Sequence, residues 1–227
     1  MSKKGLLSSS IGRKFAMALS ALFLMIFLIQ HLTINLAAVF SPETFNDWSH
    51  FMGTNPVVQF IAQPILIFAV VFHFVMGFIL EARNREARPV KYKMNKGNAN
   101  STWISRNMII SGLVILAFLA LHFIDFWIHE MNVKYIQGDM SGMLETGEGM
   151  RYYQDVLDKF AHPARVIAYV VAFILLALHL LHGFSSAFQS LGQDGKLVQG
   201  LKKFGVIYAI IIPLGFVFIA VYLHLIQ

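Results

Sequence analysis

Cysteine is missing from the chain altogether. That excludes disulfides, thiolate-held iron–sulfur clusters, zinc–thiolate sites and covalent c-type haem attachment, so any redox centre must rest on histidine, methionine or oxygen ligands. Charge is also scarce: 13% of the residues are charged and 57% are hydrophobic, whereas about a quarter carry charge in an ordinary soluble domain. The composition points to a bilayer as the solvent.

What the chain has instead is five apolar runs, roughly Phe15 to Phe40, Val57 to Leu80, Ile104 to Ile128, Val166 to Phe188 and Phe204 to Ile226. Each is long enough for a hydrocarbon core of about 30 Å, which takes about 20 residues of helix. The first run exceeds the apolar stretch of a secretory signal and lacks a small-residue cleavage site, so it counts as a span. The expected fold is an all-α membrane protein, one domain over residues 1–227, with five transmembrane helices in an antiparallel bundle.

The formal charge of +6 and a pI near 9.6 do not indicate nucleic acid, because the basic residues sort by membrane side. Lys3, Lys4, Arg13 and Lys14 precede the first span. Arg83, Arg85, Arg88, Lys91, Lys93, Lys96 and Arg106 lie between the second and third, and Lys196, Lys202 and Lys203 precede the fifth. The other side has Lys134, Arg151, Lys159 and Arg165. The positive-inside rule then makes the N-terminus cytoplasmic. Of the two longer connections, Glu81 to Trp103 is basic; His129 to Ala164 is mixed and acidic, with a short helix expected around Arg151 to Phe160.

Nine histidines are present, and His31, His73, His122, His179 and His182 sit well inside apolar spans, where polar groups are costly and usually functional. At 1.5 Å per residue, His31 and His122 lie roughly 25 Å above the inner edge, while His73 and His179 lie about 12 to 15 Å from it. The four form an outer and an inner pair. Two facing pairs at two depths are what bis-histidine ligation of two b-type haems requires, one imidazole on each face of each porphyrin. A lone membrane histidine can simply hydrogen-bond across helices, but that leaves the paired depths without a reason.

Eleven residues, almost three helical turns, separate each histidine from a small residue before it: Ser20, Ala62, Ser111 and Ala168. Each lies on its histidine's face at the depth of the other pair, where it leaves room for a macrocycle. Gly77 and Gly183 stand one turn beyond His73 and His179, where the missing side chain lets a flat ring approach the backbone. This local repeat favours His179 over His182, and His182 remains an alternative by depth. His50, His129, His162 and His224 fall in loops or near ends, and His129 has Asp125 one turn before it.

These residues resemble a family, the five-helix, di-haem cytochrome b anchors of succinate dehydrogenases and fumarate reductases. The resemblance spans nearly the whole chain. It rests on Ser10-Ile11-Gly12-Arg13-Lys14 leading to Gln30-His31-Leu32, on His73 through Gly77, on Ser105-Arg106 leading through Gly112 to Leu121-His122-Phe123, and on His179 through Gly192. It implies an outer haem held by His31 and His122, an inner haem held by His73 and His179, and a flavoprotein with FAD plus an iron–sulfur subunit on the cytoplasmic side. It also implies a quinone substrate, menaquinone, and a place in a bacterial cytoplasmic membrane.

Under that resemblance Arg13, Arg106 and Arg165 are candidates for haem propionates, or they snorkel to headgroups. Quinone reduction consumes protons, and the outer-side candidates for that site are Glu43, Gln59, Gln63, Asp125 and His129. Alternatives are the di-haem cytochrome b of a hydrogenase or formate dehydrogenase, a membrane di-iron oxygenase prompted by His179 and His182, and a transporter without a redox centre.

Overall fold

A computed structural model of the chain describes residues 9–86, 108–190 and 196–227. The described residues are helical apart from loops and one isolated antiparallel bridge between Met143 and Met150. Helix α1 is Ser10–Phe40, started by Ser9, whose hydroxyl accepts the Gly12 N–H at 2.9 Å. Ser41 both ends α1 and begins α2, Pro42–Thr54: its N–H donates to the Ala37 carbonyl at 2.8 Å and its hydroxyl accepts the Thr44 N–H at 3.2 Å. Pro42 at the first helical position and Glu43 in the first turn are what a helix start favours.

Helix α3 spans Val58–Glu86 and α4 spans Met108–Ile136. Helix α5 is Tyr152–Phe160, α6 is Pro163–Ser190 and α7 is Lys196–Leu225. Five of these, α1, α3, α4, α6 and α7, are long and apolar enough to cross a membrane. They overlap the five apolar runs and in places exceed them, α7 beginning at Lys196 ahead of Phe204 and α3 running to Glu86; residues 104–107 of the third run lie outside the described residues. Helix α4 continues past Ile128 to Ile136, because Glu130 and Lys134 pair at 2.6 Å across one turn and remove the penalty for leaving apolar sequence. Helix α2 lies in the connection between the first two apolar runs, where the apolar pattern predicts no span.

Among the described residues three stretches are π-helical: Val58–Ala62 at the start of α3, and Phe123–Ile128 and Asn132–Ile136 in α4. Widened i→i+5 turns rotate the residues beyond them relative to an ideal α-helix, and such stretches recur at functional sites.

The core lies between α1, α6 and α7, where Met25, Leu32, Phe173, Leu180, Tyr208 and Phe216 are buried. Tyr208 donates its hydroxyl to the Met25 carbonyl at 2.7 Å, so its buried polar end is satisfied. Outward faces are apolar, with Phe60, Ile65 and Phe68 on α3 and Ile207, Ile211 and Leu214 on α7 exposed. So much contiguous apolar surface suits lipid rather than water.

One end of the bundle is capped. Asn46 of α2 accepts the Tyr153 N–H at 2.8 Å, His224 of α7 donates through Nδ1 to the Phe160 carbonyl at 2.7 Å, and Gln227 donates to the Leu157 carbonyl at 3.0 Å. The opposite end carries Arg13, Lys14, Arg83, Arg85, Lys202 and Lys203.

Close approach of α6 and α7 depends on Gly205, where an added Cβ would run into the buried ring of Phe184. Gly205→Ala should lower stability by about 1 to 3 kcal/mol through overpacking, read as a lower midpoint of thermal unfolding in detergent. Gly200→Ala, with open space around its Cβ, should leave that midpoint unchanged or raise it slightly.

Candidate functional site

The bundle brings the four deep histidines together as two pairs. His31 of α1 and His122 of α4 face each other with ring centroids 5.7 Å apart and planes at 89°. His73 of α3 and His179 of α6 face each other at 6.4 Å and 64°. The ring opposite His73 is therefore that of His179, and His182, one turn on, is half-buried beside it. The first pair lies toward the capped end and the second toward the basic end. Ser20, which reaches His73, precedes His31 by about 16 Å of helix rise.

A two-fold pattern underlies the arrangement. Ser20 Oγ lies 3.2 Å from His73 Nδ1, and Ser111 Oγ lies 3.2 Å from His179 Nδ1. A Cβ on Gly77 would sit 3.7 Å from Met17 Cε, and one on Gly183 would sit 3.5 Å from Met108 Cε. Thus α3 packs its His73-to-Gly77 turn on the Met17-to-Ser20 turn of α1, and α6 packs His179-to-Gly183 on the Met108-to-Ser111 turn of α4. Ala62 and Ala168, at the corresponding offsets on the other two helices, are exposed.

Aromatic rings wall the pair near the capped end. His31 stacks on Phe27 at 5.2 Å and lies 5.6 Å from Phe216; His122 lies 5.3 Å from Phe126 and 5.8 Å from Phe118. The Nδ1 of His122 is buried with no hydrogen-bond partner. No hydrogen bond from the described residues reaches the Nε2 of any of the four.

Among the described residues no side-chain hydrogen bond or ion pair joins one outer-side quinone candidate to another. Asp125 is 2% exposed and pairs with the Arg165 guanidinium, and it accepts the Tyr169 hydroxyl at 2.8 Å. His129, one turn later, instead has Nε2 3.8 Å from Asp155. The two belong to separate ion pairs, Asp125 with Arg165 of α6 and His129 with Asp155 of α5. Gln59 is buried and donates to the Met52 carbonyl at 2.8 Å, Glu43 is exposed at the start of α2, and Gln63 is half-buried. Of the basic candidates, Arg165 is committed to Asp125, Arg13 is buried with Nη2 3.4 Å from the Ser10 hydroxyl, and Arg106 lies outside the described residues.

A buried ionic cluster at the capped end was not foreseen. Lys134, 2% exposed, pairs with Glu130 and donates to the Gly53 carbonyl; Arg151 pairs with Glu130 and, at 2.7 Å, with Asp155. Burial alone would lower the Arg151 pKa, but the two carboxylates outweigh it and raise it. Burial and the negative Glu130 push the Tyr152 hydroxyl up to about 12. The i, i+4 pairs Glu130/Lys134 and Arg151/Asp155 were visible in the sequence, but nothing local marked them as buried.

Among the described residues no three potential metal-ligating side chains converge; the donors come in twos. Two imidazoles trans across one metal, with bonds of about 2 Å, place their centroids about 6 Å apart, and both pairs are close to that spacing. Imidazoles facing across an apolar interior, with Nε2 unengaged, fit the axial ligand set of a b-type haem.

Membrane-length helices around two levels of facing imidazoles define a polytopic helical bundle with two candidate cofactor positions. The chain is 30% identical over 98 residues to the succinate dehydrogenase cytochrome b558 subunit of Bacillus subtilis (strain 168), a match covering 43% of this chain and 45% of that one. The match thus spans about half the length of that relative. No family model matches and no solved structure matches significantly.

Loss of Arg165 would strand the Asp125 carboxylate in the interior with Tyr169 as its donor. Arg165→Ala should destabilise the protein by about 3 kcal/mol, the low end for breaking a buried pair because the guanidinium is partly exposed. Adding Asp125→Asn should recover most of that loss, as chemical denaturation of the single and double variants would report.

Proposed function

We propose that this chain is the membrane-anchor cytochrome b subunit of a succinate:quinone oxidoreductase, in a bacterial cytoplasmic membrane. The observation that carries this is the pair of facing histidine couples at two levels of a five-helix bundle. The similarity to a succinate dehydrogenase cytochrome b558 subunit supports it independently. His31 with His122 and His73 with His179 are the proposed axial ligands of two b-type haems. Bound there, the haems supply one-electron transfer along the bundle, between an iron–sulfur partner and a membrane quinone.

The chain itself ligates, orients and insulates. Its basic end, with Arg13, Lys14, Arg83, Arg85, Lys202 and Lys203, is the proposed cytoplasmic face, where the iron–sulfur and flavoprotein subunits dock. Arg13, buried at that end, is the described residue best placed to neutralise propionates of the haem between His73 and His179. The capped end is the proposed outer face and the quinone side. There the Phe118, Phe126, Tyr169 and Phe216 rings exclude water from the His31–His122 level. The quinone expected is menaquinone.

The purified protein should show a b-type reduced-minus-oxidised spectrum and two haems per chain by pyridine haemochrome. Alanine at His31, His73, His122 or His179 should each remove one haem, while His182→Ala should retain both. A colourless preparation, or two haems surviving the loss of a proposed ligand, would overturn the assignment.

A further inference from the structure

Ser20 and Ser111 were expected only to leave room. The structure gives their hydroxyls a more specific position, at matching places in the two halves of the bundle. Each lies 3.2 Å from the Nδ1 of a histidine on the neighbouring helix, His73 for Ser20 and His179 for Ser111. Each also lies within hydrogen-bond distance of the carbonyl three residues back, Met17 at 2.8 Å and Met108 at 2.9 Å.

Donor accounting settles the direction of these bonds. A serine hydroxyl has one hydrogen and two lone pairs, whereas a carbonyl oxygen can only accept. The hydroxyl hydrogen of Ser20 therefore goes to Met17 and that of Ser111 to Met108. What remains toward each imidazole is a lone pair, so the histidine must donate its Nδ1 hydrogen to the serine. A neutral imidazole with its hydrogen on Nδ1 has its lone pair on Nε2, the nitrogen that no described residue engages.

We propose that Ser20 and Ser111 are positioning residues that fix the Nδ1–H tautomer and ring orientation of His73 and His179, and so raise the basicity of Nε2 toward a metal. This rests on the haem-ligand assignment above and deepens it. An acceptor behind a ligating imidazole is the usual outer partner that sets tautomer and donor strength. The two levels of the bundle are not equivalent in this respect: the Nδ1 of His122 is buried without any such acceptor. The small residues at the same eleven-residue offset on α3 and α6, Ala62 and Ala168, carry no hydroxyl to offer. The tuning is therefore confined to the level of His73 and His179.

Removing the acceptor weakens donation to the metal, which disfavours its oxidised form, so the reduction potential at that level rises. The test is an equilibrium redox titration, followed in the visible spectrum, of purified haem-loaded wild type, Ser20→Ala, Ser111→Ala and the double variant. One of the two potentials should rise in each alanine variant and further in the double, by up to about tenfold in the oxidised-to-reduced affinity ratio, or about 59 mV for one electron. The second potential should stay in place, and Ser20→Thr and Ser111→Thr, which keep the hydroxyl, should return the first to its wild-type value. Two haems bound with both potentials unmoved in the double alanine variant would overturn the serine assignment and leave the haem ligands standing. A threonine variant that shifts as far as alanine would also overturn it, since packing alone would then be the cause. Wild-type protein without haem would overturn the ligand assignment itself.

Discussion

In hydrocarbon a polar group has no water to turn to, and leaving one unbonded costs several kcal/mol. The organisation of this bundle follows from that constraint. Backbone amides are satisfied within long helices, and several polar side chains inside those helices find partners in the backbone or in each other, while His122 Nδ1 and Trp127 Nε1 are buried without one. Ser20 and Ser111 bond to the preceding turn, Tyr208 reaches the Met25 carbonyl, and Asp125 is held by Arg165 and Tyr169. The Nε2 atoms of the four deep histidines stand outside this pattern, and these histidines face each other in two pairs as the proposed haem ligands.

The same constraint separates the two ends. At the capped end the polar load is heavy, and it is carried by a network in which Lys134, Glu130, Arg151 and Asp155 neutralise one another under α2 and α5. Such buried networks are weak evidence for stability but fix geometry, since breaking one member leaves its partner unpaired. Here the network joins the end of α4 to the loop before α5 and, through Gly53, to α2. At the other end basic residues outnumber acidic ones among the described residues, and Arg85 pairs with Glu81 at 2.7 Å across one turn of α3.

Much of this was legible from residue order. Apolar run length placed five helices, and counting rise along alternating helices sorted the histidines into the two pairs that the structure brings face to face. The eleven-residue offset singled out Ser20 and Ser111 and put them at the right depth, but it assigned them bulk, because sequence spacing reports position and not hydrogen-bond direction. Helix α2 was within reach of the same logic: Ser41, Pro42 and Glu43 are a start signal. The split between Asp125 and His129 was not, since their partners Arg165 and Asp155 lie on two other helices. Burial of Lys134 was hidden for a different reason, as its acceptors Glu130 and the Gly53 carbonyl belong partly to another helix.

The sequence by itself determined the apolar character of the chain, the number of membrane-length helices and the position of each histidine along its helix. These follow from composition and from a fixed rise per residue, which are properties of the chain taken one segment at a time. Only the tertiary structure decided that His179 rather than His182 faces His73, that Arg165 is spent on Asp125, and that two serines stand behind two imidazoles as acceptors. Those depend on the rotation of each helix about its axis. That rotation is set by packing contacts such as Gly205 against Phe184 and Gly215 against Leu32, between residues far apart in the chain.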